Sequence, residues 1–162
     1  MQKAKQRSEI AQQDKWRIED IYATDEAWEA DYDECIRRAK EKCVYQGRLA
    51  ESAQILYQAL KESDEADLLV EHVYVYAFMK YYEDTANAVY QEMSGRAQAA
   101  VTKLSEKYAF LTPEILAIDQ KKMQEYLNSD TLALYRHALE DILAKKEHAL
   151  SEKEERLLAM AG

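Results

Sequence analysis

The run SDEADLLVEHVYVYAFMKYY, residues 63–82, carries apolar side chains at two sets of helical steps. Ala66, Val70, Val73 and Ala77 recur every three or four residues, and Tyr74, Phe78 and Tyr81 form a second row beside them. A helix that is apolar over most of its circumference must be covered over most of it. Either this helix is central, or one side awaits something that the chain does not supply. Five of the twelve tyrosines fall between Tyr74 and Gln91. Tyrosine gives a helix interface both apolar area and a hydroxyl that can reach a partner. The sharper expectation is a surface for another domain or a peptide, made of Tyr74, Phe78 and Tyr81 with Asp84 and Asn87 at the bend that follows.

Working outward, the pattern predicts an all-α fold: a multi-helix antiparallel array with one long central helix pair. Thr24 reads as an N-cap, with Asp25 and Glu26 suited to the positive helix end. Trp28, Tyr32, Cys35 or Ile36, Ala39 and Cys43 then mark one buried face, and Gly47 reads as the C-terminal stop. A short helix from Ser52 turns Ile55, Leu56, Ala59 and Leu60 inward, and Ser63 or Asp64 opens the next. A long helix over 85–110 buries Val89, Met93, Ala97, Ala100, Leu104 and Leu111. Gly95 inside it, among alanines, suggests the close approach of a neighbour. Thr112 and Pro113 read as N-cap and first helical residue. A helix over 120–127 follows, then one stepping through Leu132, Tyr135, Leu139 and Ile142. Ser151 with Glu154 forms a capping box ahead of Leu157 and Leu158. That helix is only just complete at Gly162, which predicts a longer natural polypeptide. Residues 1–23 read as a polar arm that docks through Trp16, Ile18, Ile21 and Tyr22, and 24–162 as one helical domain.

Composition agrees. Three Gly and one Pro in 162 residues leave few of the punctuators that strand-and-turn folds use. The formal net charge of −9, from 31 acidic against 22 basic residues, argues against a nucleic-acid partner. The richest basic stretch, Arg37 to Lys42, is diluted by Glu41 and flanked by Asp31, Asp33 and Glu34. Val73 to Met79, the longest apolar run, is far short of the roughly 20 residues that span a bilayer. No apolar leader segment is visible, so a cytoplasmic address is expected. Cys35 and Cys43, eight positions apart on one expected helix, would lie roughly 12 Å apart. That exceeds the disulfide limit of about 7 Å, so both read as reduced core residues.

Local catalytic motifs are missing. No HExxH, GxSxG, Gly-rich phosphate loop or paired CxxC occurs. The nearest approach to a metal motif is His137, Glu140 and Asp141, where Asp141 stands in place of a second His. No third ligand is evident, and an amphipathic helix accounts for the same letters. No catalytic, cofactor-binding or metal-binding residue is therefore expected in this chain.

Four stretches carry a family resemblance. They are DKW (14–16) with DIYATDEAW (20–28), GRLAES (47–52), YVYAFMKYYEDTANAVYQ (74–91), and YRHALEDIL (135–143) running into HALSEKEERLLA (148–159). In this order they resemble the N-terminal helical region of oligoendopeptidase F, a zinc metallopeptidase family related to the thimet oligopeptidases. Glu147 stands where Pro commonly precedes the His, and Ala149 where Thr is common. The resemblance implies a parent enzyme that cuts short peptides with zinc held by ligands outside this chain. It also implies that these helices form a wall or lid over an enclosed channel, with the parent's C-terminal catalytic domain and the oligopeptide as partners. The alternative is a free-standing helical protein–protein interaction module. With no catalytic domain present, the exposed tyrosine row predicts self-association of the isolated chain.

Overall fold

Helix formers dominate the chain, and among its described residues the secondary structure is helical. The structure is a computed structural model that describes residues 9–148. Short 3-10 turns at Gln12–Asp14 and Ile18–Asp20 precede α1 (Asp25–Lys40), α2 (Ala53–Glu83) and α3 (Ala88–Tyr108). Then come α4 (Leu111–Ala117), α5 (Gln120–Leu127), a 3-10 turn at Asp130–Tyr135, and α6 (Arg136–His148).

Several starts lie where the side chains say. Thr24 Oγ1 accepts the Ala27 N–H at 3.3 Å, and Ser52 Oγ accepts that of Ile55 at 3.2 Å. Asp119 Oδ1 accepts from Lys121 and Lys122, so α5 opens at Gln120 as expected. Other boundaries need correction. Ser63 and Asp64 do not begin a helix, because α2 runs unbroken for 31 residues. Continuing the helix satisfies the N–H groups that a new start would orphan, and strong formers on both sides make the interior Ser and Asp tolerable. The capping box at Ser151 and Glu154 lies outside the described residues.

Gly47 does not stop α1 either. The helix ends at Lys40, Glu41 turns to extended backbone, and Cys43 therefore leaves the helix while staying buried. Gly47 instead holds a left-handed turn, φ 79°, in the connection to α2, and its N–H donates to Glu114 Oε1 at 2.6 Å. Cys35 and Cys43 are both buried and free, and burial pushes the Cys35 thiol up to about 11. Helix α3 covers 88–108, not 85–110, and Val89 at its start is exposed while Met93, Ala97, Ala100 and Leu104 are buried. Gly95 faces open space, since a Cβ there would meet nothing within 4 Å, so no close helix approach explains it. Pro113 is the third residue of α4, which starts at Leu111. Of the arm, Ile18 and Tyr22 are buried, Ile21 is half-buried, and Trp16 is exposed.

The chain divides into two compact units, Met1–Cys43 with Glu62–Tyr108, and Val44–Lys61 with Ala109–Gly162. In the first, α1 packs on α3, and Trp28 lies fully buried with Nε1 donating to the Val73 carbonyl oxygen at 2.8 Å. In the second, α4 packs on α6. There the Tyr126 hydroxyl donates to the Ala50 carbonyl oxygen at 2.9 Å, and Tyr57 meets Tyr135 edge-on.

Candidate docking surface

Helix α2 within the first unit has an inner and an outer face. Ala66, Val70, Val73 and Ala77, the row expected to be buried, are all 6 % exposed or less. Tyr76 joins them and donates its hydroxyl to Asp25 Oδ1 at 2.8 Å. Lys80 also pairs with Asp25, and its ammonium lies 5.0 Å from the Tyr76 ring centre and 5.1 Å from that of Tyr90. Burial alone would raise the Asp25 pKa, but the Lys80 and Tyr76 hydrogen bonds and the lysine charge hold it below the usual range. Tyr76 moves the other way, raised first by burial and then by the hydrogen bond to Asp25.

Two further cations fix α1 and α3. The Arg96 guanidinium lies 4.2 Å from the Tyr32 ring centre and 5.1 Å from that of Trp28, with Nη1 donating to Glu29 Oε1 at 2.7 Å. Those hydrogen bonds lower the Glu29 pKa, outweighing its desolvation. Lys107 Nζ donates to the Arg38 carbonyl oxygen near the end of α1 at 2.9 Å and to Glu62 at 3.3 Å. A cation belongs at that negative helix end. None of these clasps was legible in the sequence, since each joins residues at least 45 positions apart.

The second aromatic row behaves differently. Tyr74, Phe78 and Tyr81 are half-buried and lean on each other, Tyr74 stacked on Phe78 at 4.2 Å and Phe78 edge-on to Tyr81 at 6.3 Å. Asp84 and Asn87 shape the turn after α2. Asp84 Oδ1 accepts the Ala86 N–H, and Asn87 Oδ1 accepts those of Val89 and Tyr90 at the start of α3. Their side-chain oxygens thus serve backbone capping, while the three rings line the surface.

That surface has relief at both ends. Tyr74, Val70, Asp67 and Glu71 of α2, with Gln98 and Val101 of α3, line a groove of about 400 Å³. Near the other end, Tyr82 and Glu83 face Ile10, Asp14, Lys15 and Trp16 across a hollow of about 210 Å³. Desolvation and the neighbouring Asp64 charge raise the Asp67 pKa.

Residues suited to a metal do not gather here. Among the described residues, no group of three or more His, Cys, Asp or Glu is placed to hold an ion. His137 Nε2 and Asp141 Oδ2 lie 3.7 Å apart one helical turn away from each other, with side chains 88 % and 61 % exposed. Two exposed groups on one turn give no closed coordination shell. Zinc, which the family resemblance implies, has no fitting donor set among the described residues. No helix among them is long and apolar enough to cross a membrane.

Fold and surface together define an all-α region that turns apolar side chains outward. Comparison with known proteins gives its family. The N-terminal peptidase family described as Oligopeptidase F matches residues 114–162. Oligopeptidase PepF of Bacillus subtilis is 40 % identical over 96 % of this chain, and an oligoendopeptidase F homolog of Lactococcus lactis is 40 % identical over 98 %. Those matches span 23 % and 27 % of the two relatives, so the chain covers about a quarter of their length. The crystal structure of oligoendopeptidase-F from Enterococcus faecium superposes with a TM-score of 0.70 at 31 % identity, over 85 % of this chain and 27 % of that one. A second, from Chlamydophila abortus and provisionally described as a peptidase, gives 0.81 at 25 % identity, over 98 % of this chain and 27 % of that one. The chain belongs to the oligoendopeptidase F family and corresponds to the N-terminal region of its members.

Proposed function

We propose that this region is the cap and channel wall of a zinc-dependent oligoendopeptidase whose catalytic groups lie elsewhere in a longer polypeptide. The observation that carries the reading is coverage. Nearly the whole chain aligns with proteins named as an oligopeptidase and an oligoendopeptidase, yet it spans only about a quarter of their length. In this reading zinc and the general base come from an HExxH helix in the remainder, and these helices restrict entry to short, extended peptides. Its own residues contribute shape: Trp28, Arg96, Lys80 and Lys107 tie α1, α3 and the part of α2 after Lys61 to one another.

A quenched fluorescent oligopeptide tests the proposal. The natural polypeptide containing this sequence should turn it over and lose that activity on chelation, recovering it with zinc. The 162-residue chain should do neither and should bind no stoichiometric zinc. Peptidase turnover by the 162-residue chain would defeat the reading. So would a natural reading frame with no metal-ligating motif after residue 162, which would favour a free-standing interaction module.

A further inference from the structure

On the outer face of α2 the most exposed large apolar residues fall at an even spacing. Leu68, Val75 and Tyr82 are 57 %, 36 % and 63 % exposed and lie seven residues apart. Seven residues is close to two helical turns, so the three form one line along the axis. Met79, half-buried, lies on the same side one turn above Val75. This line is separate from the half-buried Tyr74, Phe78 and Tyr81 row, although Tyr82 touches Phe78 and Tyr81 at ring-centre distances of 6.0 and 5.3 Å. Trp16, itself exposed, extends the apolar strip beyond Tyr82. An apolar line in register over four turns has the seven-residue spacing of helix-on-helix packing.

We infer that this seam receives an amphipathic helix, rich in Lys or Arg beside its own apolar ridge, from the polypeptide that follows residue 162. Charge supports the choice. From Asp64 to Met79 the helix carries Asp64, Glu65, Asp67 and Glu71 and no Lys or Arg. Lys80, the next cation, is turned inward onto Asp25. A second copy of α2 laid antiparallel about Val75 would bring this acidic half towards Glu83 of the other copy, a like-charge contact that is unfavourable. A basic helix would meet the exposed Asp67 and Glu71. Length supports it too, since roughly three-quarters of each matched relative lies outside the region aligned here. The inference rests on the proposed function for the existence of that further polypeptide. It adds the face, the register and the chemistry of contact.

Cysteine accessibility tests it, because the native Cys35 and Cys43 are buried. Val75→Cys is introduced into the 162-residue chain and into the natural longer polypeptide, and iodoacetamide labelling at position 75 is read by mass spectrometry. Val89→Cys, exposed and outside the seam, is the control. Labelling at 75 should slow at least about tenfold in the longer polypeptide, while the control changes by less than about twofold. Reversing charge with Asp67→Lys and Glu71→Lys should speed labelling at 75 severalfold, more so at low salt. Equal rates at 75 in the two proteins would overturn the inference. So would protection in the 162-residue chain that grows with concentration, which would make a second copy the occupant. No effect of charge reversal would overturn the basic character of the partner helix. Peptide turnover is measured on the same samples. Protection without turnover removes the enzyme reading and keeps the docking, whereas turnover without protection does the reverse.

Discussion

The two faces of α2 share one helix and both carry apolar side chains, yet among the described residues one is buried and the other stays largely exposed. On the inner face Ala66, Val73 and Ala77 are fully buried, and polar contacts lock α2 there: Trp28 on the Val73 carbonyl, Tyr76 and Lys80 on Asp25. On the outer face the residues are larger and more exposed, and the rings touch mainly each other. The difference teaches that hydrophobicity alone does not identify a core. Long-range polar contacts do, because a buried donor or carboxylate must find its partner within the same fold.

The sharpest way to break the contrast is Trp28→Ala. It removes a fully buried ring, a hydrogen bond and an Arg96 platform, and should cost about 3–5 kcal/mol of stability in a denaturant melt. Lys107→Ala comes next. It leaves Glu62 with one partner fewer and the Arg38 carbonyl oxygen without the Lys107 hydrogen bond, for a loss of about 2–3 kcal/mol.

Acid should act on the clasped side in the same direction. Glu29 and Glu34 both titrate below the ordinary glutamate value of 4.5, Glu34 at about 2 beside Arg37 and Arg38. A depressed carboxyl stabilises the fold fully above its unfolded value and loses that effect as pH falls through the folded one. Melting temperature should therefore be flat above about pH 5 and fall progressively toward about pH 2. Glu34→Gln should shallow that fall, and an unchanged slope would count against the ion pair.

Gly95→Ala should raise stability by about 0.5–1 kcal/mol, because the added methyl meets open space and the unfolded chain loses freedom. The smallest effect belongs to the outer seam. Leu68→Ala in the 162-residue chain should shift stability by no more than about 0.5 kcal/mol. A much larger loss would mean that this face already has an occupant within the chain.

Much of this was readable from the letters. Helical steps located α1, α3 and α5, and short-range caps at Thr24, Ser52 and Asp119 lay where side chain and backbone are neighbours in sequence. The inner row of α2 was legible for the same reason. Errors arose where a local signal had a stronger competitor. Ser63 resembles a cap, but a helix already running through it satisfies the same groups. Gly47 resembles a helix stop, yet its left-handed turn serves the loop. Among the surface residues, Tyr74, Phe78 and Tyr81 were identified, while the Leu68, Val75 and Tyr82 line was not. Its spacing is present in the sequence, but apolar residues of both faces are interleaved there and only burial separates them.

The sequence by itself determined that the chain is helical, where most helices begin, and which family it belongs with, because periodicity, capping and motif order are all written within short windows. Tertiary structure alone decided which apolar stripe became core and which stayed outside. It also decided that Arg96, Lys80 and Lys107 would close on carboxylates and rings from distant helices. Those outcomes depend on which surfaces meet in space, and a linear pattern does not record the partner.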